Sequence, residues 1–184
     1  KADLKIQDNE TNLISELKNL KVYISLTEFY SEDKFKIRRV EVSQANFYLN
    51  NLSLQNFINN LKKNIVNNFI IKNSTLFFKD EKNEVILISK IDKFNYKIDY
   101  VNNKKILKIN GNIFDSEIKL KYLIDYNFPN IQNLKIELKN PNLLIENKLT
   151  SDINNINKSS KGEMDISFLS QKNNFKYEII GNDI

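Results

Sequence analysis

Hydrophobic and polar residues alternate along most of the chain, most clearly in FNYKIDY (94–100) and SEIKLKYLIDY (116–126). Successive side chains of a β-strand point to opposite faces of its sheet, so this period of two predicts strands with one apolar and one polar face. The apolar positions are Phe94, Tyr96, Ile98 and Tyr100 in the first segment and Ile118, Leu120, Tyr122 and Ile124 in the second. Shorter alternating runs elsewhere raise the prediction to about eight or nine strands.

One segment has a different period. In SLQNFINNLKKNI, residues 53–65, apolar residues recur at intervals of three and four, which predicts an amphipathic helix. The apolar stripe consists of Leu54, Phe57, Ile58, Leu61 and Ile65. Ser53 is the predicted N-cap, because a serine hydroxyl can accept a hydrogen bond from the free amides of the first turn.

The apolar strand faces need a covering layer, and one helix of this length is too short to cover so many strands. A β-sandwich would pack two such faces together, but it normally uses turns rich in Gly and Pro, and the chain contains 3 Gly and 2 Pro. We therefore predict a mainly β fold with a long, strongly curved antiparallel sheet that forms a half-pipe or groove. We expect a single domain over residues 1–184, cut from a longer chain, and the sandwich remains the alternative.

A similar segment occurs three times, as VEVSQANFYLN (40–50), FIIKNSTLFFKDE (69–81) and IELKNPNLLIEN (136–147). In each copy two apolar runs flank a short polar break. In the second copy Phe69 and Ile71 have one parity, whereas Leu76 and Phe78 have the other, so a regular strand would direct the two pairs to opposite faces. If all four face one interior, a bulge must absorb one residue. The predicted irregularities lie within Lys72 to Thr75, near Ser43 to Asn46 and near Lys139 to Asn142.

The residues that most enzymes use for catalysis are missing from the sequence. The absence of Cys and His excludes thiol nucleophiles, Ser-His-Asp triads and the usual zinc sites. The carboxylate pairs Glu32-Asp33 and Asp80-Glu81 could serve as acid and base, but their Lys-rich, turn-like surroundings indicate solvated turn charges. We expect no enzymatic activity, no metal site and no cofactor.

The formal charge of +5 would suit a nucleic acid or an anionic membrane as partner. Nearly all of the positive charge is lysine, however, and Arg38 and Arg39 are the two arginines of the chain. Phosphate and base recognition favours arginine, whose planar group binds bidentately. We therefore expect no nucleic-acid partner.

Residues 37 to 126 resemble the AsmA-like proteins of the bacterial envelope. In that family a strand ending in an apolar run leads to a helix, then to a strand of the form I-x-N-S/G-x-L-x-F-x-D, a paired strand and a G-x-I/L-F segment. The corresponding elements here are Phe47-Tyr48-Leu49, the helix from Leu54, Ile71 to Asp80, Val85 to Tyr100, and Gly111 to Phe114.

The resemblance implies a periplasmic β-groove with an apolar lining that conducts phospholipids toward the outer membrane, in a protein anchored in the inner membrane. The sequence shows no apolar run long enough for such an anchor, so we expect the chain to be one segment of the groove. The expected partners are phospholipid acyl chains, and the expected lining is the two sets of alternating apolar residues in 94–100 and 118–124. The alternative is a structural or interaction module in which these aromatic and aliphatic faces pack as a sandwich core.

Overall fold

The structure is a computed structural model that describes residues 4–7, 13–27, 30, 37–62, 67–127, 130–151 and 159–180. Eleven strands form one sheet whose order follows the chain from β1 to β11, and the helix α1 lies between β3 and β4. The first part of the chain contains β1 (Leu4–Gln7), β2 (Leu13–Ile24), β3 (Ile37–Leu49), α1 (Asn51–Lys62), β4 (Asn68–Lys79) and β5 (Val85–Asp99). The second part contains β6 (Lys104–Ile113), β7 (Ser116–Asp125), β8 (Asn130–Leu138), β9 (Leu143–Ser151), β10 (Ser159–Phe168) and β11 (Gln171–Ile180).

The prediction of a mainly β fold with one long sheet and one amphipathic helix is confirmed, and such a sheet is consistent with the predicted groove. The contacts divide the chain into two compact units. The first unit is Lys1–Tyr96 with Gly111–Asp115, and the second is Lys97–Asn110 with Ser116–Ile184. The expectation of a single domain stays a prediction.

One strand pair departs from the antiparallel prediction. Strands β3 and β4 pair in parallel, with α1 as the connection between them. The 12-residue helix is about 18 Å long and forms part of the crossover connection that two parallel neighbouring strands require.

The first two copies of the repeated segment lie side by side in this parallel pair. Ser43 is paired with Lys72, and Phe47 with Leu76, so residues 29 positions apart face each other on both sides of the polar break. Pairing lapses between Ser43 and Asn46, and between Lys72 and Thr75 on β4. Within these gaps Gln44 and Asn73 adopt positive φ angles of 55° and 46°. The two predicted irregularities are confirmed, and the strand register is the same on both sides of them.

The bulge in β3 keeps its apolar residues on one side, although their parity changes. Val42 and Ala45 are three positions apart and are both buried in a cluster with Leu17 on β2. Val40 and Phe47 pack against the same cluster from either end of the bulge. A regular strand would have placed Val42 and Ala45 on opposite faces, so the irregular backbone between them keeps both side chains in the core.

The third copy of the segment behaves differently. Strand β8 ends at Leu138 and β9 begins at Leu143, so residues 139–142 form the turn of a hairpin. The prediction of a bulge within one continuous strand is wrong here. Pro141 lacks an N–H group and cannot donate to a sheet ladder, which favours a turn at this position.

The helix covers part of the core of the first unit. Its Phe57 ring lies 6.2 Å from the ring of Phe69 on β4 and 6.1 Å from that of Phe94 on β5, and the latter two rings lie 5.9 Å apart. Of the other predicted stripe residues, Leu54 is half-buried and Ile58 is exposed. The side chain of Leu61, together with residues 63–65 at the predicted helix end, lies outside the described part of the chain.

The helix begins two residues before its predicted start, and its N-cap is Asn50 rather than Ser53. Asn50 Oδ1 accepts a hydrogen bond from the Ser53 amide at 2.9 Å, and Ser53 Oγ accepts one from the Asn50 amide at 2.8 Å. This reciprocal arrangement is a capping box, in which Ser53 occupies the third helical position.

Candidate functional site

The five strands β7 to β11 of the second unit share a largely apolar face. Residues directly opposite each other in an antiparallel pair have side chains on the same face, so the pairings define rows that cross the strands. Row 1 contains Ile118, Leu138, Leu143 and Phe168 and ends in Gln171 on β11, and row 2 contains Leu120, Ile136, Ile145 and Ile166 and ends in Asn173 on β11. Row 3 contains Tyr122, Leu134, Asn147, Met164 and Phe175, and row 4 contains Ile124, Gln132, Leu149, Gly162 and Tyr177. These four rows are called the apolar face below.

The apolar face has little cover. Among the described residues of the second unit, Leu149 is the one buried hydrophobic side chain, at 9% exposure. Row residues such as Ile136 and Ile145 are half-buried, and Phe168 and Phe175 are 44% and 47% exposed. A sheet face of this kind normally packs against a second layer. Exposed apolar surfaces of this kind are typical of binding sites for a ligand or a partner.

The opposite face of the same strands is charged, and its charges compensate each other. Lys135 lies 3.0 Å from Glu137 and 3.1 Å from Glu146, and hydrogen bonds to both carboxylates raise the pKa of Lys135. Hydrogen bonds from Asn174 and Lys172 lower the pKa of Asp165. Two shallow concavities of about 450 and 540 Å³ lie mainly among these charged side chains. These paired charges are those of a solvated surface.

Two tyrosines form hydrogen bonds with polar side chains of the apolar face. Tyr122 donates a hydrogen bond to Gln132 Oε1 at 2.6 Å, and Tyr177 donates one to Asn147 Oδ1 at 2.8 Å. The Tyr177 ring crosses β10 above Gly162, where a Cβ atom would lie 2.1 Å from the ring carbon Cζ. Burial, together with the nearby Tyr126, raises the pKa of Tyr122, so its hydroxyl stays protonated and acts as a donor.

The predicted lining residues are distributed over both units. Ile118, Leu120, Tyr122 and Ile124 come together on β7 as one edge of the apolar face, and all four are half-buried. Ile98 is half-buried near the end of β5, and Tyr100 is 67% exposed in the following turn.

Phe94 and Tyr96 belong to the packed interior of the first unit, with exposures of 5% and 2%. That the alternating apolar residues of 94–100 and 118–124 line a ligand site stays a prediction. Strands β8 to β10 supply most of the apolar face, and the prediction did not assign them to the lining. Their alternating residues were a usable signal, but the pairing that aligns them with β7 was not visible in the sequence.

The carboxylates considered as acid and base do not form a catalytic site in the described part of the chain. Asp80 organises the turn after β4, where its Oδ1 accepts hydrogen bonds from the amides of Lys82 and Glu84 at 2.9 Å each. Glu32 and Asp33 lie outside the described residues. Within those residues, no group of three or more acidic side chains could hold a metal ion.

None of the helices in the described ranges is long and apolar enough to cross a membrane.

No protein-family model matches the chain, and no curated protein matches it. The resemblance to AsmA-like proteins therefore rests on the segments quoted from the sequence.

Proposed function

We propose that this chain is a non-enzymatic lipid-binding segment that holds phospholipid acyl chains on the apolar face of β7 to β11. The proposal extends to the setting that the AsmA-like resemblance implies. There the segment belongs to a periplasmic groove of a protein anchored in the inner membrane, which conducts phospholipids toward the outer membrane. The proposal rests on one observation, the half-exposed apolar face of the second unit.

The dimensions of the face suit extended hydrocarbon chains. Neighbouring strands are about 4.8 Å apart, so the four side chains of row 2 form an apolar track roughly 14 Å long. Successive rows are about 7 Å apart, because alternate residues of a strand share a face. More than one acyl chain can therefore lie across the strands. Each buried methylene contributes about 0.8 kcal/mol, so a chain that contacts one row gains several kcal/mol without any specific bond.

Native mass spectrometry of the purified protein tests the proposal, and we expect copurifying phospholipid. The double variant Ile136→Thr with Ile145→Thr removes apolar groups from the centre of row 2, where the two residues face each other, and retains β-branched side chains. We expect its lipid affinity to fall about fourfold for each methylene group of the lipid that no longer packs against the face.

The matched control is Leu123→Thr with Leu144→Thr. These leucines are also half-buried but lie on the charged face, opposite Asn133 and Glu137. The control should bind lipid as the wild type does. Protein that is free of lipid after purification and takes up none from liposomes contradicts the proposal, as does an equal loss of affinity in both double variants.

A second candidate function is suggested by strand β11, the last strand in the described order. This strand pairs with β10 over ten consecutive residues without a register shift. A long regular strand can pair with a further strand, from a partner or from another part of the same protein. Addition of a strand from a second copy of the chain predicts concentration-dependent self-association, which sedimentation velocity measures directly.

A further inference from the structure

Two uncharged amide side chains lie within the apolar face on its central strands β8 and β9, in addition to Gln171 and Asn173 at its margin on β11. Gln132 lies in row 4 on β8, and Asn147 lies in row 3 on the neighbouring strand β9. Asn147 is directly opposite Leu134, which is two residues from Gln132, so the two amides are diagonal neighbours about 7–8 Å apart. Rows 1 and 2, on one side of them, contain aliphatic and aromatic side chains on β7 to β10.

The tyrosine hydroxyls fix the orientation of both amides. Tyr122 and Tyr177 donate to the amide oxygens of Gln132 and Asn147, so the NH₂ group of each amide points away from its tyrosine. Gln132 Nε2 and Asn147 Nδ2 have no hydrogen-bond acceptor among the residues that the structure describes. Each side-chain amide has two N–H donors, which need acceptors when an apolar ligand displaces water from them.

The ligand group that fits these donors is an uncharged acceptor at the end of a hydrocarbon chain. All side chains of rows 3 and 4 are uncharged, so the face offers no cation to a phosphate at this point. Phosphates are bound preferentially by Lys and Arg, whereas an ester carbonyl needs a neutral N–H donor. In a diacyl lipid the two ester carbonyls lie where the acyl chains meet the headgroup.

We propose that Gln132 and Asn147 donate hydrogen bonds to the ester carbonyls of a bound diacyl lipid, whose acyl chains lie on rows 1 and 2. This inference rests on the proposed lipid-binding function and specifies its ligand as an ester-linked lipid. Tyr122 and Tyr177 are positioning residues, because they act through the amides. Gly162 allows the position of Tyr177, because it leaves room for the ring above β10.

The test compares two lipids that differ in the linkage alone. The full chain is incubated with an ester-linked phosphatidylglycerol and its ether-linked analogue, with the same chains and headgroup, and native mass spectrometry measures the ratio of the complexes. The ether lacks the carbonyl acceptor, so we expect wild-type protein to prefer the ester. The expected preference is about threefold to tenfold for each hydrogen bond.

Variants connect this preference to the amides. In Gln132→Leu and Asn147→Leu we expect the ester-to-ether ratio to fall toward one. Asn133→Leu is the matched control, because Asn133 lies on β8 next to Gln132 but on the charged face, opposite Lys148. Its ratio should equal that of the wild type. Tyr122→Phe and Tyr177→Phe release the amides and should lower the ratio partially.

The outcomes separate this inference from the proposed function. If wild-type protein binds both lipids equally well, the ester contact is wrong and lipid binding stands. If it binds neither, both proposals are wrong. A preference for the ester that persists in both leucine variants also overturns the assignment, and this comparison is made on variants whose melting temperatures show that they fold.

Discussion

The Ser74 hydroxyl connects the irregular segments of β3 and β4 through two hydrogen bonds. It accepts a hydrogen bond from the buried amide of Ala45 at 3.1 Å and donates one to the carbonyl of Lys72 at 2.8 Å. The lapse in pairing would otherwise leave the Ala45 amide without a partner. We expect Ser74→Ala to lower the free energy of unfolding by about 1–3 kcal/mol, the cost of an unsatisfied buried donor. Urea denaturation followed by circular dichroism measures this change.

Ser43 provides the control, because it flanks the same bulge on the paired strand. In the part of the chain that the structure describes, its hydroxyl makes no hydrogen bond, so Ser43→Ala should change the stability by less than about 0.5 kcal/mol. Equal effects of the two substitutions would show that the serine hydroxyl does not stabilise the bulge.

Glu41 on β3 makes part of the stability depend on pH. A hydrogen bond from Lys72, at 2.7 Å, lowers the pKa of Glu41, and the charges of Lys72, Arg39 and Lys21 act in the same direction against partial burial. A carboxylate with a lowered folded pKa contributes its stability above the unfolded pKa of 4.5 and loses it as the pH falls through the folded value. Lys72 is 41% exposed, so the contribution is at most about 1 kcal/mol.

The measurement compares wild-type protein with Glu41→Gln in urea at several pH values. We expect the variant to be less stable at pH 7, and we expect the difference to shrink below pH 4.5. A difference that is constant from pH 7 to about pH 3 would assign the effect to packing rather than to the charge.

At the scale of elements, the capping box determines where α1 begins. Asn50→Ala removes the side-chain acceptor of the Ser53 amide, and we expect it to cost about 1 kcal/mol of stability. Asn59→Ala is the control, because Asn59 is exposed within the same helix and alanine has the higher helix propensity. The control should be neutral or slightly stabilising. A larger loss of stability from Asn59→Ala than from Asn50→Ala in urea denaturation would contradict the assignment of the cap.

The repeated segment shows how much of an element can be predicted from sequence alone. Aligning its first two copies matches Ser43 with Lys72 and Phe47 with Leu76, and these residues are partners in the structure, but the sequence did not predict that the two copies pair. Counting parity predicts the bulge itself, since the core has to stay on one side. The parallel direction was missed, although a strand, a helix and a second strand in succession are typical of it.

The tyrosine-amide pairs of the apolar face could not be predicted in the same way. Tyr122 and Gln132 are ten residues apart, whereas Tyr177 and Asn147 are 30 apart, and each pair exists because hairpin registers align the strands. A one-residue slip would move every side chain of a strand to the other face. The alternation of a single strand predicts that a face is apolar, but the pairing of five strands determines where its polar groups meet.

At the scale of the whole molecule, the two units bury hydrophobic side chains to different extents. Among the described residues, the first unit buries Leu17, Val42, Ala45, Ile71, Phe94 and Tyr96, whereas the second buries Leu149. Local opening requires less free energy where fewer apolar side chains are buried. The second unit therefore lacks a stabilising layer that a ligand on the apolar face could supply.

Amide hydrogen exchange tests this difference along the whole chain. In lipid-free protein we expect slower exchange in β3 and β4 than in β8 and β9, because the former border the buried cluster of the first unit. A ligand that binds the folded state stabilises it increasingly as its concentration rises above the Kd, so added phospholipid should slow exchange in β7 to β10 and leave β3 and β4 nearly unchanged. The Ile136→Thr, Ile145→Thr double variant should lose most of this lipid-dependent protection. Uniform exchange in both units, or protection by lipid that is confined to the first unit, would mean that the apolar face is not where the lipid binds.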